Sequence, residues 1–96
     1  MERMASGLEG DWQVIRTGGL LPPLVGIRKR IEGDRGWTSI GPLPGAAFDV
    51  VGNELRYRAP FLGFVDVIEP SSEGYRGRAT FKGREFGTFR LQRRRP

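Results

Sequence analysis

Leu8-Glu9-Gly10-Asp11-Trp12-Gln13-Val14-Ile15-Arg16-Thr17 is the stretch on which the reading of this chain turns. Gly10 lets the backbone turn sharply, and from Trp12 an alternation begins in which Trp12 and Val14 face one way while Asp11 and Gln13 face the other. A period of two marks a half-buried strand. Further short apolar alternations follow, separated by turn residues, which makes Trp12 the plug for one end of whatever they enclose, with Leu8 capping the bottom of the core.

Reading outward, Gly26 to Glu32 places Ile27, Lys29 and Ile31 on one face and Arg28, Arg30 and Glu32 on the other. Gly33-Asp34-Arg35-Gly36 makes a tight hairpin, Trp37 to Ile40 is the next strand, and Gly41-Pro42-Leu43-Pro44-Gly45 breaks the ladder. Ala46, Phe48 and Val50 then share a side, and Gly52-Asn53 predicts a short hairpin onto Glu54 to Ala59, where Leu55 and Tyr57 oppose Glu54, Arg56 and Arg58. After Pro60 comes the most apolar run, Phe61 to Ile68, with Asp66 on the side of Leu62, Phe64 and Ile68. Tyr75, Gly77, Ala79 and Phe81 form one face of the next strand, and Lys82-Gly83 turns it onto Arg84 to Gln92. There Phe89 and Leu91 share a face, and Gly87 permits a bulge that brings Phe86 in as well.

No stretch shows helical periodicity for two turns. About eight strands at spacings of roughly 8 to 12 residues, joined by short turns, predict one all-β domain over residues 1–96. Consecutive hairpins favour an antiparallel up-and-down meander over a Greek key, and closure into a barrel removes both unpaired edges. Eight strands leave an interior that side chains fill or that holds one small ligand. Residues 1–7 and 93–96 are expected to be flexible ends.

With these strands in place, Gly10-Asp11-Trp12 in the first and an arginine in the last resemble the signature of the calycins, the superfamily of lipocalins, fatty-acid-binding proteins and avidins. The resemblance implies a small lipocalin-like barrel with the tryptophan across its base. It also implies a late arginine packed over the ring and bonded to backbone near the first strand. Carried over, Gly10, Trp12 and Arg90 make that closure, with Arg93 as the substitute. The loop from Gly18 to Gly26 takes the place of the family's long first loop over the mouth. The chain departs from the family in its shorter length and in lacking a helix after the barrel.

Composition narrows the chemistry. The chain has no cysteine and no histidine, which removes thiolate nucleophiles, disulfides, the usual neutral-pH base and the usual haem and zinc ligands; no metal and no cofactor is expected. Three of the five excess positive charges come from Arg93, Arg94 and Arg95, and the aromatics fall mostly on the apolar side of their strands, so nucleic acid is not the expected partner. No apolar run approaches about 20 residues and no charged-then-apolar leader is visible, so the expectation is a cytoplasmic protein without a membrane span. Asp66, Asp49, Tyr57 and Lys29 are the candidates for acid–base work, and no pair of them has a diagnostic spacing, so no catalytic residue is assigned.

The site expected from parity is an apolar pocket lined by Phe48, Tyr57, Phe64, Phe81 and Phe89, closed by Leu20, Leu21 and Leu24, with Lys29 and Asp66 as internal polar groups. A lone buried charge is very costly, so if both point inward they should pair, or one should meet a ligand of opposite sign. An anionic head group would suit an inward Lys29. Two functions remain open: a carrier or sensor of one small lipophilic molecule, or a filled barrel that meets a partner or forms a homodimer through the apolar 18–26 loop.

Overall fold

The computed structural model describes residues 7–20, 26–41, 43–72 and 74–94. The elements are strands: β1 (Gly10–Gly19), β2 (Ile27–Glu32), β3 (Arg35–Ile40), β4 (Leu43–Val51), β5 (Glu54–Tyr57), β6 (Phe64–Ser71), β7 (Gly74–Phe81) and β8 (Arg84–Arg93). Each pairs antiparallel with the next and β8 returns to β1, closing the barrel in chain order. The eight-stranded up-and-down barrel expected from the sequence is therefore the fold.

Local chemistry sets the turns. At the β7–β8 hairpin Lys82 and Gly83 both take left-handed backbone, with φ of 51° and 85°, the pair of angles that matches the twist of the flanking strands. Two boundaries differ from the sequence reading. β5 stops at Tyr57 and β6 starts at Phe64, so Phe61 and Leu62 lie on a connection at the barrel rim and not in a strand. β3 begins at Arg35, directly after the Gly33-Asp34 turn.

Inward parity follows the alternation read from the sequence, and it fills the lower half of the barrel. Trp12 lies across the floor, fully buried; its indole Nε1 donates to the Leu8 carbonyl at 2.7 Å and the Tyr75 ring meets it edge-on. Leu8, Ile31, Phe48, Leu55, Ile68 and Leu91 complete that layer with almost no exposed surface. Burying an apolar side chain of this kind stabilises the fold by about 1.5–3 kcal/mol. Gly77 makes room for the Phe89 ring opposite it: a Cβ there would stand 2.3 Å from the ring.

The arginine over Trp12 is Arg93, not Arg90. Its guanidinium sits 4.2 Å from the Trp12 ring and donates to the carbonyls of Glu9 and Gly7. Phe89 and Leu91 point inward, so the period of two continues inward to Arg93 and turns Arg90 outward, where it lines a surface groove with Arg76 and Arg78. Arg93 is accordingly a strand residue paired with Trp12 and not the start of a loose tail. Gly10 serves this contact, because a Cβ on it would meet Arg93 Nη1 at 2.4 Å.

Candidate functional site

The upper half of the barrel is built differently. Where the floor carries tryptophan, phenylalanine and leucine, the layer above carries Val14, Ala46 and Ala79, and short side chains on a ring of fixed circumference leave space. The result is a cavity of about 330 Å³ toward the rim opposite Trp12. Its wall is apolar, with Ile27, Phe64, Phe86 and Phe89 prominent, and Phe61 stands at the rim.

Four polar side chains converge on the cavity: Lys29, Thr38, Tyr57 and Asp66. β2 and β3 set Lys29 opposite Thr38, while β5 sets Leu55 opposite Asp66 on β6, so that Tyr57, two residues further along β5, reaches Asp66 diagonally through its hydroxyl. Lys29 Nζ donates to Thr38 Oγ1 at 2.7 Å and to the Tyr57 hydroxyl at 2.5 Å, and forms an ion pair with Asp66 Oδ2 at 3.1 Å. The Tyr57 hydroxyl donates to Asp66 Oδ2 at 3.0 Å, and Thr38 Oγ1 lies 2.8 Å from the same hydroxyl. The rings of Phe48, Tyr57 and Phe89 pack around the ammonium at 5.3 to 5.6 Å from centroid to Nζ.

Electrostatics hold this cluster as an ion pair. Burial alone would lower the Lys29 pKa, but Asp66 and then Tyr57 outweigh it and hold the ammonium above the ordinary lysine value. Burial pushes the Tyr57 phenol up; the Lys29 charge opposes that and Asp66 adds to it, so the phenol keeps its proton at neutral pH. The pair is neutral as a whole, the condition under which two charges tolerate a dry interior.

Of the residues expected to line the pocket, Lys29, Tyr57, Phe64, Asp66 and Phe89 do so. Phe48 does not: it is fully buried, paired across the strands with Tyr57 and edge-on to its ring, two residues along β4 from the lining Ala46. Phe81 shares the inward face but sits at the end of β7, half exposed on the rim with its ring 4.6 Å from Phe64. Leu20 is 86% exposed and closes nothing; its backbone is tied outward to the Phe86 carbonyl. Leu21 and Leu24 lie outside the described residues. Val14, Ile27, Ala46, Ala79 and Phe86 also line the cavity; the sequence placed them on or near inward faces but not in the pocket, and it gave no inward place to Thr38 or Phe61. Thr38 had a usable signal, since a hydroxyl one strand over from a buried lysine is its natural acceptor. Phe61 had none, because its placement depends on where β6 begins.

Among the described residues no group of three or more carboxylates is gathered to hold a metal ion. Comparison with known proteins finds no matching family model, no matching curated protein and no matching solved structure. The likeness to the calycins therefore stands at the level of architecture, a closed eight-stranded antiparallel barrel.

Proposed function

We propose that this chain is a binding barrel that holds one small apolar or amphipathic molecule in its upper half. One observation carries the reading: a cavity of about 330 Å³ whose wall is apolar and on which a few polar groups converge. Ligand sites have this composition, and an apolar cavity of about 150 Å³ accepts benzene, so this one suits a fused two-ring molecule or a chain of roughly ten carbons. Native mass spectrometry of the recombinant protein tests it, together with titration of an environment-sensitive apolar fluorophore. Retained small-molecule mass, or saturable uptake of the fluorophore, is the expected result. A bare protein that takes up nothing counts against a carrier.

A second reading rests on the rim. Leu20, Ile40, Phe61, Leu62 and Phe81 are all exposed at the cavity end of the barrel, an apolar fringe that a second copy or a protein partner could cover. The same mass spectra separate the two readings, because a homodimer without bound mass favours the interaction module.

A further inference from the structure

The direction of the hydrogen bonds around Lys29 says what kind of molecule the cavity takes. A lysine ammonium has three protons and no acceptor, and here all three have acceptors within the protein: Thr38 Oγ1, the Tyr57 hydroxyl and Asp66 Oδ2. The Tyr57 proton goes to Asp66 Oδ2. The Thr38 proton then has the Tyr57 oxygen to meet, at 2.8 Å. Every donor in the cluster is committed.

One acceptor is not. Asp66 is 7% exposed and lines the cavity, and both its hydrogen bond from Tyr57 and its ion pair with Lys29 fall on Oδ2. Oδ1 takes no hydrogen bond from any described residue and is not among the fully enclosed atoms, so it fronts the cavity. A carboxylate oxygen accepts two hydrogen bonds, and one left bare in an apolar chamber is costly.

Resting on the binding reading above, we infer that the barrel selects a neutral apolar molecule carrying a hydrogen-bond donor, an O–H or N–H, which it presents to Asp66 Oδ1. An anion is disfavoured, since Lys29 has no proton to offer it and Asp66 already balances the ammonium. A cation is disfavoured for the opposite reason: seated on Oδ1 it would stand within a few ångströms of the Lys29 charge in a dry site. A ligand with acceptors only would set oxygen against oxygen. A ligand donor supplies a bond to a charged acceptor, which corresponds to roughly tenfold to a hundredfold in affinity.

Calorimetric titration of the wild-type chain at neutral pH with naphthalene, 2-naphthol, 2-naphthoate and 2-naphthylmethylammonium is the test. These probes share one ring system and differ in the group presented. The expected order places 2-naphthol roughly tenfold or more ahead of the other three. The Lys29→Met, Asp66→Leu double variant, its fold checked by circular dichroism, should bring the affinity ratio of 2-naphthol to naphthalene down to about one, whatever its affinity for naphthalene itself. Equal affinity for naphthalene and 2-naphthol, or tightest binding of the carboxylate or the ammonium, overturns the inference and leaves the binding barrel standing. Binding of none of the four overturns both. Should the double variant fail to fold, the order of the four probes on the parent chain decides alone.

Discussion

Arg93 lies with its guanidinium 4.2 Å from the centre of the Trp12 ring, on the residue that pairs with Trp12 across the seam of the barrel. One side chain thus covers the indole, ties the carbonyls of Glu9 and Gly7, and holds the last strand to the first. Arg93→Ala removes all three contacts. It should lower stability by about 1–3 kcal/mol, and by more than Arg90→Ala, whose side chain lies on the outer face away from Trp12. Thermal unfolding of the two variants side by side checks the pair, and equal losses would contradict the assignment of Arg93 as the closing arginine.

Lys29 and Asp66 form a buried couple in which either charge alone is a liability. Asp66→Leu strands an ammonium and Lys29→Met strands a carboxylate, each at about 3–5 kcal/mol. The double variant places two apolar side chains of similar volume in their stead and should recover most of that loss or exceed the parent. Urea denaturation of the four proteins closes the cycle. If the double variant is as unstable as the sum of the singles, the two residues are not coupled as their 3.1 Å separation requires.

Alkaline pH should weaken the fold through this cluster. Lys29 and Tyr57 titrate above their ordinary values of 10.5 and 10.0. Between the ordinary and the raised values the folded chain keeps protons that the unfolded chain has released, so stability falls as pH rises. Below about pH 9 the contribution of both groups is complete. A melting temperature that is flat from neutrality to about pH 9 and declines above about pH 10 is expected. The decline should be shallower in the Lys29→Met, Asp66→Leu variant, and an unchanged slope there would remove Lys29 from the account.

Gly77→Ala tests the packing of Phe89. The added methyl falls 2.3 Å from the ring, which must leave its place over β7, and overpacking of this kind costs about 1–3 kcal/mol. Because Phe89 also walls the cavity, uptake of an apolar fluorophore should weaken with stability. Uptake unchanged in a destabilised variant would place the fluorophore elsewhere.

Ala46→Leu should separate binding from folding. Ala46 lines the cavity and is only partly buried, so a larger side chain there grows into open space. We expect fluorophore uptake reduced at least tenfold with a change in stability within about 1.5 kcal/mol. Unaltered uptake would argue that the cavity is not where the molecule sits.

The strands, their order and nearly all inward-facing positions are legible in the sequence because a period of two is local, and closed barrels leave one face no alternative to burial. The same logic, carried two residues past Leu91, points to Arg93 over Arg90. The pairing of Lys29 with Asp66 is legible as a condition, since neither charge tolerates the interior alone. Whether the barrel is filled is harder to read: it depends on which inward residues share a level, which strand tilt and stagger decide. With the register known, the small residues Ala46 and Ala79 explain the space. Phe81 and Phe48 fail as lining residues for the same reason, one sitting a level too high and the other a level too low.

The seam between β1 and β8 joins strands from opposite ends of the sequence, with Trp12 meeting Arg93 and Val14 meeting Leu91. Until β8 has paired with β1, then, the chain has neither a complete base nor a closed chamber. A chain truncated before β8 lacks Arg93 and the closing strand, and should take up no apolar fluorophore.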